Sequence, residues 1–197
     1  MKMRFLILAS VLAALTLAGL PGCSTNTQGD SATPVFLTGE FTLLPLDKCV
    51  DSNAPLQFQT TVLHSILKNP RVISTQFLDT QVDSYIVVWR RIDGGTTASP
   101  TQTFGGNVIV PANGQGTLTN YPYMSADSLL RPPLDQLFPF NGGVDKETGR
   151  AEIRQAGNVT WYGHTFSGQA VVSNVATFDM IFLFCGSTGR IEAKRAQ

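Results

Sequence analysis

The residues best equipped for chemistry are scattered along this chain, and few stand at spacings that a reaction requires. Asp145-Lys146-Glu147-Thr148-Gly149 brings two carboxylates and several carbonyls together, the donor chemistry of a calcium loop, as do Asp47, Asp51 and Asn53. Both lack the dense carboxylate ladder of a strong calcium site, and a Gly-ended turn leading into a strand at Arg150 accounts for the first without metal. No metal and no cofactor is expected. His64 and His164 show no ligand spacing, and Ser167, close to His164 in sequence, has no nucleophile-elbow context. No pair of carboxylates stands out as the facing pair of a glycosidase. Trp161 and Tyr162, with Phe166 nearby, could offer aromatic faces to a sugar ring, although aromatic residues on adjacent strands are more often cross-strand core pairs.

The segment Asn120 to Gly149 is the most unusual part of the chain. It holds Pro122, Pro132, Pro133 and Pro139 together with Tyr121, Tyr123, Met124, Leu137, Phe138 and Phe140. Connections this long are uncommon in compact domains and often functional. Its apolar groups must be covered by the domain itself or by another protein. The two readings are therefore a crossover that closes one end of the fold, or a flap with aromatic anchors for a partner. Ser125 is placed to cap a short helix through Leu130, and Pro133 to start another turn.

The elements that would position these groups are short strands. Val35, Leu37, Phe41 and Leu43 alternate with Phe36, Thr38, Glu40 and Thr42, the period of a half-buried strand. Val82 to Ile92 is apolar on both faces, which suits a central strand. Val175 to Cys185 places Ala176, Phe178, Met180, Phe182 and Phe184 on one face. Leu56 to Leu67 fits either a strand or a short helix, and Val72 to Leu78 reads as a weak strand. Phe104 to Pro111 and Thr117 to Tyr121 read as a hairpin around Asn113-Gly114-Gln115-Gly116. Ala151 to Gln155, Val159 to Tyr162 and Thr165 to Ser173 read as further strands, with His164 in a turn. The expectation is an all-β antiparallel sandwich over residues 34–197, immunoglobulin-like in layout, with a small β-barrel as the alternative.

The N-terminus carries an address. Lys2 and Arg4 precede sixteen uncharged residues, Phe5 to Leu20, a run short for a spanning helix, which needs about 20 apolar residues. Leu20-Pro21-Gly22-Cys23 then resembles the lipobox of bacterial lipoproteins, with Pro21 standing where that family usually has a small or β-branched residue. The resemblance implies a leader over residues 1–22, cleavage before Cys23, and a diacylglyceryl group on the Cys23 thiol. A cut after Ala18 by an ordinary signal peptidase and an uncleaved anchor are the alternatives. Ser24, in place of the Asp that retains such proteins at the inner membrane, implies the outer membrane in a Gram-negative cell. Residues 23–33 contain no large apolar group and read as a tether.

Removing residues 1–22 from the 197 leaves 175, enough for one core, and removing Lys2 and Arg4 from 14 bases against 14 acids leaves a formal charge of −2. No clustered positive charge suits a nucleic-acid partner. With Cys23 given to lipid, Cys49 and Cys185 are an even remainder in an oxidising compartment, and a disulfide is expected. The function expected from these features is a non-enzymatic structural or assembly component of the cell envelope, with envelope proteins as partners. A carbohydrate-binding surface module and a hydrolase are the alternatives.

Overall fold

The computed structural model describes residues 33–42 and 46–186. The leader, Cys23 and all of the expected tether except Thr33 lie outside them. Thr33 is buried, and its hydroxyl donates to the Val35 carbonyl at 3.3 Å, so this residue packs with the sandwich.

Among the described residues, nine strands form two sheets. They are β1 (Val35–Phe41), β2 (Asp47–Cys49), β3 (Leu56–Leu67), β4 (Thr80–Arg91), β5 (Gln102–Val110), β6 (Gln115–Met124), β7 (Glu152–Thr165), β8 (Ala170–Val172) and β9 (Ala176–Leu183). The first sheet has the order β1-β3-β6 and the second β2-β9-β7-β4-β5, with β8 beside the end of β7. All pairs are antiparallel except β2 with β9, which is parallel. Packing one sheet on the other gives an all-β, sandwich-like fold.

Leu56 to Leu67 resolves as a strand, because Leu37↔Ser65 and Gly39↔Leu63 pairing places its inward residues opposite those of β1. Four readings from sequence need correction. Val72 to Leu78 is no strand but a loop ending in a 3-10 turn over Gln76–Leu78. Phe104 to Tyr121 is no hairpin: Gly114 N–H closes a turn on the Pro111 carbonyl at 2.9 Å, but β5 then pairs with β4 and β6 with β3. The turn thus carries the chain from one sheet to the other. Glu152 to Gln155 and Val159 to Tyr162 are parts of one 14-residue strand, β7, which also contains His164. Finally, Thr165 to Ser173 is not one strand: Thr165 ends β7, a turn closed by Gly168 N–H on the Thr165 carbonyl follows, and only Ala170–Val172 pair again as β8.

The core is strongly aromatic. Phe178 of β9 lies edge-on to Phe41, Phe58, Trp89 and Tyr123, with ring centroids 5.1–5.4 Å apart. Phe41 stacks on Phe58 at 4.3 Å. Edge-to-face contacts of this kind add about 0.5–1.5 kcal/mol each beyond area burial. Two glycines make the approach possible. A Cβ on Gly39 would sit 2.4 Å from the Trp161 ring, and one on Gly157 2.5 Å from the Phe178 ring. Tyr121 and Tyr123 both reach the interior because β6 switches faces at Asn120, whose φ of 59° is in the left-handed region that Asn tolerates. Tyr85 packs on Phe104 and Tyr121 and donates its hydroxyl to the Pro122 carbonyl. Burial, with Tyr121 adding to it, pushes its phenol well above the ordinary range, and burial does the same to Tyr123.

The antiparallel registers sort the loops to two ends. The start of β1 and the connections 68–79, 111–114 and 166–169 share one end. The connections 92–101 and 125–151, together with the end of β9, share the other.

Candidate functional site

The end of the sandwich opposite the entry of the chain gathers the long crossover, the disulfide and the buried charges. The crossover begins as expected: Ser125 caps helix α1 (Ala126–Leu129) by accepting the Ser128 N–H at 3.3 Å, and Pro133 precedes a 3-10 turn over Leu134–Leu137. Gln102 fixes the start by accepting the Ser125 N–H at 3.0 Å. Tyr123, Met124, Leu129, Leu134 and Leu137 are fully buried, and Phe138 nearly so. Of the six residues expected as anchors, Tyr123, Met124, Leu137 and Phe138 are core side chains, and Tyr121 is half-buried. Phe140 is 80% exposed, its ring 5.3 Å from Phe138, and Leu130 is 61% exposed. The crossover therefore closes its own end of the sandwich and leaves Phe140 and Leu130 outside.

Arg91, at the end of β4, organises the charges beneath it. Its guanidinium grips Asp93 with two hydrogen bonds of 2.8 and 2.9 Å, reaches Asp145 at 2.7 Å and donates to the Thr97 carbonyl at 3.1 Å. All three charged side chains are at most 2% exposed. Burial alone would raise the Asp93 carboxyl. Hydrogen bonds from Arg91 and from the backbone N–H of Arg154 and Gly95 outweigh it and hold the group at about 2. Asp145 is likewise lowered against its burial by Arg91 and Thr148, and burial of Arg91 is more than offset by its two carboxylates.

These bonds also explain the residues that suggested calcium. Asp145 accepts the Thr148 hydroxyl at 2.6 Å, while Gly149 N–H returns to the Asp145 carbonyl at 2.8 Å, forming the Gly-ended turn. Glu147 accepts from the Thr96 and Thr97 amides, which hold its carboxyl at about 2. Gln155, fully buried, exchanges hydrogen bonds with Ser99 at 2.8 and 2.9 Å. Loops 92–101 and 145–150 are thereby locked together. A strand pattern reveals none of this, because Arg91 and Asp145 are 54 residues apart.

Cys49 and Cys185 form the disulfide, with Cα atoms 5.4 Å apart. It joins neighbours within one sheet, the end of β2 and the residue two beyond β9, whereas an immunoglobulin bridge ties the two sheets together. Asp51 accepts the Cys185 N–H at 3.3 Å, and Asp47 lies in β2. Both sulfurs are committed to the bond, so the grouping of Cys49, Asp51 and Cys185 offers a cation no thiolate.

Trp161 and Tyr162 do not form a platform. Trp161 is 1% exposed and packs on Gly39 and Phe41, while Tyr162, next along β7, turns to the other face. His164 pairs with Asp83 at 2.8 Å on an exposed strand face, and Ser167 bonds the Thr165 hydroxyl at 2.8 Å. His64 stands 4.0 Å from Glu40 on the outer face of the three-stranded sheet. Asn158 accepts a hydrogen bond from the Thr177 hydroxyl at 2.9 Å. A cleft of about 380 Å³ opens between β1 and β9 over Phe41, Phe58, Phe178 and Met180, with Glu40 and Asp179 also lining it.

No known protein family matches the sequence, and comparison with curated proteins returned no match.

Proposed function

We propose that this protein is a lipid-anchored component of the bacterial cell envelope that serves a structural or assembly role, held to a membrane through Cys23 and meeting envelope proteins with its far end. The observation that carries the reading is the polarity of the fold. The chain enters beside Lys68, whose N–H donates to the Pro34 carbonyl at 2.8 Å, while the crossover bearing Phe140 and Leu130 sits at the opposite end. A 14-residue strand such as β7 spans about 45 Å at roughly 3.3 Å per residue, so these ends are well separated. Phe140 offers a large rigid apolar surface, of the kind that anchors protein interfaces. The disulfide suits an oxidising compartment.

The test has two parts. Intact mass of membrane-fraction protein should show cleavage before Cys23 with lipid attached, and an unmodified chain from the soluble fraction would end the anchoring part. A photo-crosslinker placed at position 140 or 130 in cells should give a discrete adduct that one at Thr117, on the exposed face of β6, does not. Equal labelling at all three positions would remove the role of the crossover. Removing residues 122–140 outright is a poor test, because it deletes core side chains.

A further inference from the structure

The end at which the chain enters carries some of the most exposed apolar side chains of the domain. Ile73 is 82% exposed, Phe77 61% and Phe166 47%. They are held out by a frame of hydrogen bonds. Ser167 N–H donates to the Phe77 carbonyl and Phe166 N–H to the Asp79 carbonyl, both at 3.0 Å, which lays the 166–169 turn against the 68–79 loop. The Ser74 hydroxyl donates to the Ala112 carbonyl at 3.0 Å, and Asp79 accepts the Ala112 N–H at 2.9 Å, tying that loop to the β5–β6 connection. Exposed Arg71 lies in the same loop, its backbone N–H donating to the Asn69 side chain at 3.0 Å, and the Lys68 ammonium lies 4.8 Å over the Phe36 ring. Apolar side chains projecting past basic ones are a pattern suited to the boundary between acyl chains and anionic headgroups.

We propose that this end of the sandwich rests in the surface of a lipid bilayer, with Ile73, Phe77 and Phe166 below the headgroups and Arg71 at their phosphates. The inference rests on the lipid anchor at Cys23. Nine residues, 24–32, separate Cys23 from the buried Thr33, so the two lie at most about 35 Å apart even along a fully extended chain. The end that the tether holds against the bilayer is thus the end bearing the apolar tip. Tethering raises the local lipid concentration enough that a three-residue insertion, too weak to bind from solution, becomes populated. The anchor and the tip then act together, and the domain stands upright with the crossover pointing away.

The experiment uses the full lipidated protein in phosphatidylethanolamine–phosphatidylglycerol vesicles, with Phe77→Trp to report depth. Trp89 and Trp161 are 5% and 1% exposed, so native emission is little affected by a quencher in the lipid. Brominated acyl chains should quench the introduced indole at least twofold more than they quench wild type. Adding Ile73→Asp should cut that excess quenching by half or more. Vesicle-bound protein whose introduced indole is not quenched overturns the proposal and leaves the anchor standing. Protein that does not float with vesicles and carries no lipid on Cys23 overturns both. Self-association of the protein without vesicles that is abolished by Ile73→Asp would assign the tip to a second copy instead, and overturns the membrane assignment.

Discussion

Replacing Arg91 with Met tests the charge cluster that locks the far end. The guanidinium makes three hydrogen bonds to two carboxylates that are at most 1% exposed. Removing it leaves both charges buried, with only backbone amides and the Thr148 hydroxyl as donors. Breaking a buried ion pair from one side costs about 3–5 kcal/mol, and that is the expected loss at pH 7. The pH dependence is the sharper signature. In the wild type, Asp93 is lowered from 3.8 to about 2, which at 1.36 kcal/mol per unit is about 2 kcal/mol of stability. That contribution is complete above about pH 5 and is lost progressively as pH falls from there through 2. In Arg91→Met the burial of the carboxylates is no longer outweighed, so their values rise above those of the unfolded chain. Protonation then favours the folded state, and the deficit should narrow on going from pH 7 to 4.5. Urea melts of both proteins at the two pH values, followed by Trp fluorescence, measure it. A cost below about 1 kcal/mol at pH 7, or a deficit that does not shrink at pH 4.5, would refute the reasoning.

Other perturbations separate the remaining claims. Cys49→Ser with Cys185→Ser opens a loop spanning 136 positions, worth up to about 5 kcal/mol by chain entropy, and should lower the urea midpoint without changing the strand signature in circular dichroism. Gly39→Ala puts a methyl group 2.4 Å from the Trp161 ring and should cost about 1–3 kcal/mol. Gly105→Ala, with nothing within 4 Å and no positive φ, should stay within about 0.5 kcal/mol in the same urea melts. Phe140→Ser, at an 80% exposed position, should also leave stability within about 0.5 kcal/mol, and a larger loss would mean that the ring belongs to the core.

Alternation along the chain located most strands but could not assign their partners. The core face of β9 was legible because Phe178, Met180 and Phe182 recur at a period of two, and β4 because it is apolar on both faces. The β5–β6 turn misled because Asn-Gly chemistry sets the local bend, whereas long-range pairing decides whether the two strands meet. Val72 to Leu78 looked like a strand because Val72, Ile73 and Phe77 are apolar, yet these side chains are exposed. The crossover announced that its apolar groups needed cover, and the capping role of Ser125 was readable from its position. That Tyr123 and Leu137 are inside while Phe140 is outside depends on tertiary packing. Trp161 and Tyr162 shared a strand but could not share a face, since neighbours on a strand point apart. The Arg91 cluster was invisible, because its members meet only once the loops are folded.

The direction in which β1 runs has a mechanical consequence. The chain enters at Val35, and β1 climbs from there along β3 through seven antiparallel pairs, Val35↔Leu67 to Phe41↔Thr61. A pull on the N-terminus, resisted at the far end, therefore acts along the strand axis. The rungs between β1 and β3 are strained in shear and must fail together rather than unzip one by one. Had the chain entered at Phe41, the same pull would peel the strand from its end. Force applied along that axis meets this domain in its stiffer direction.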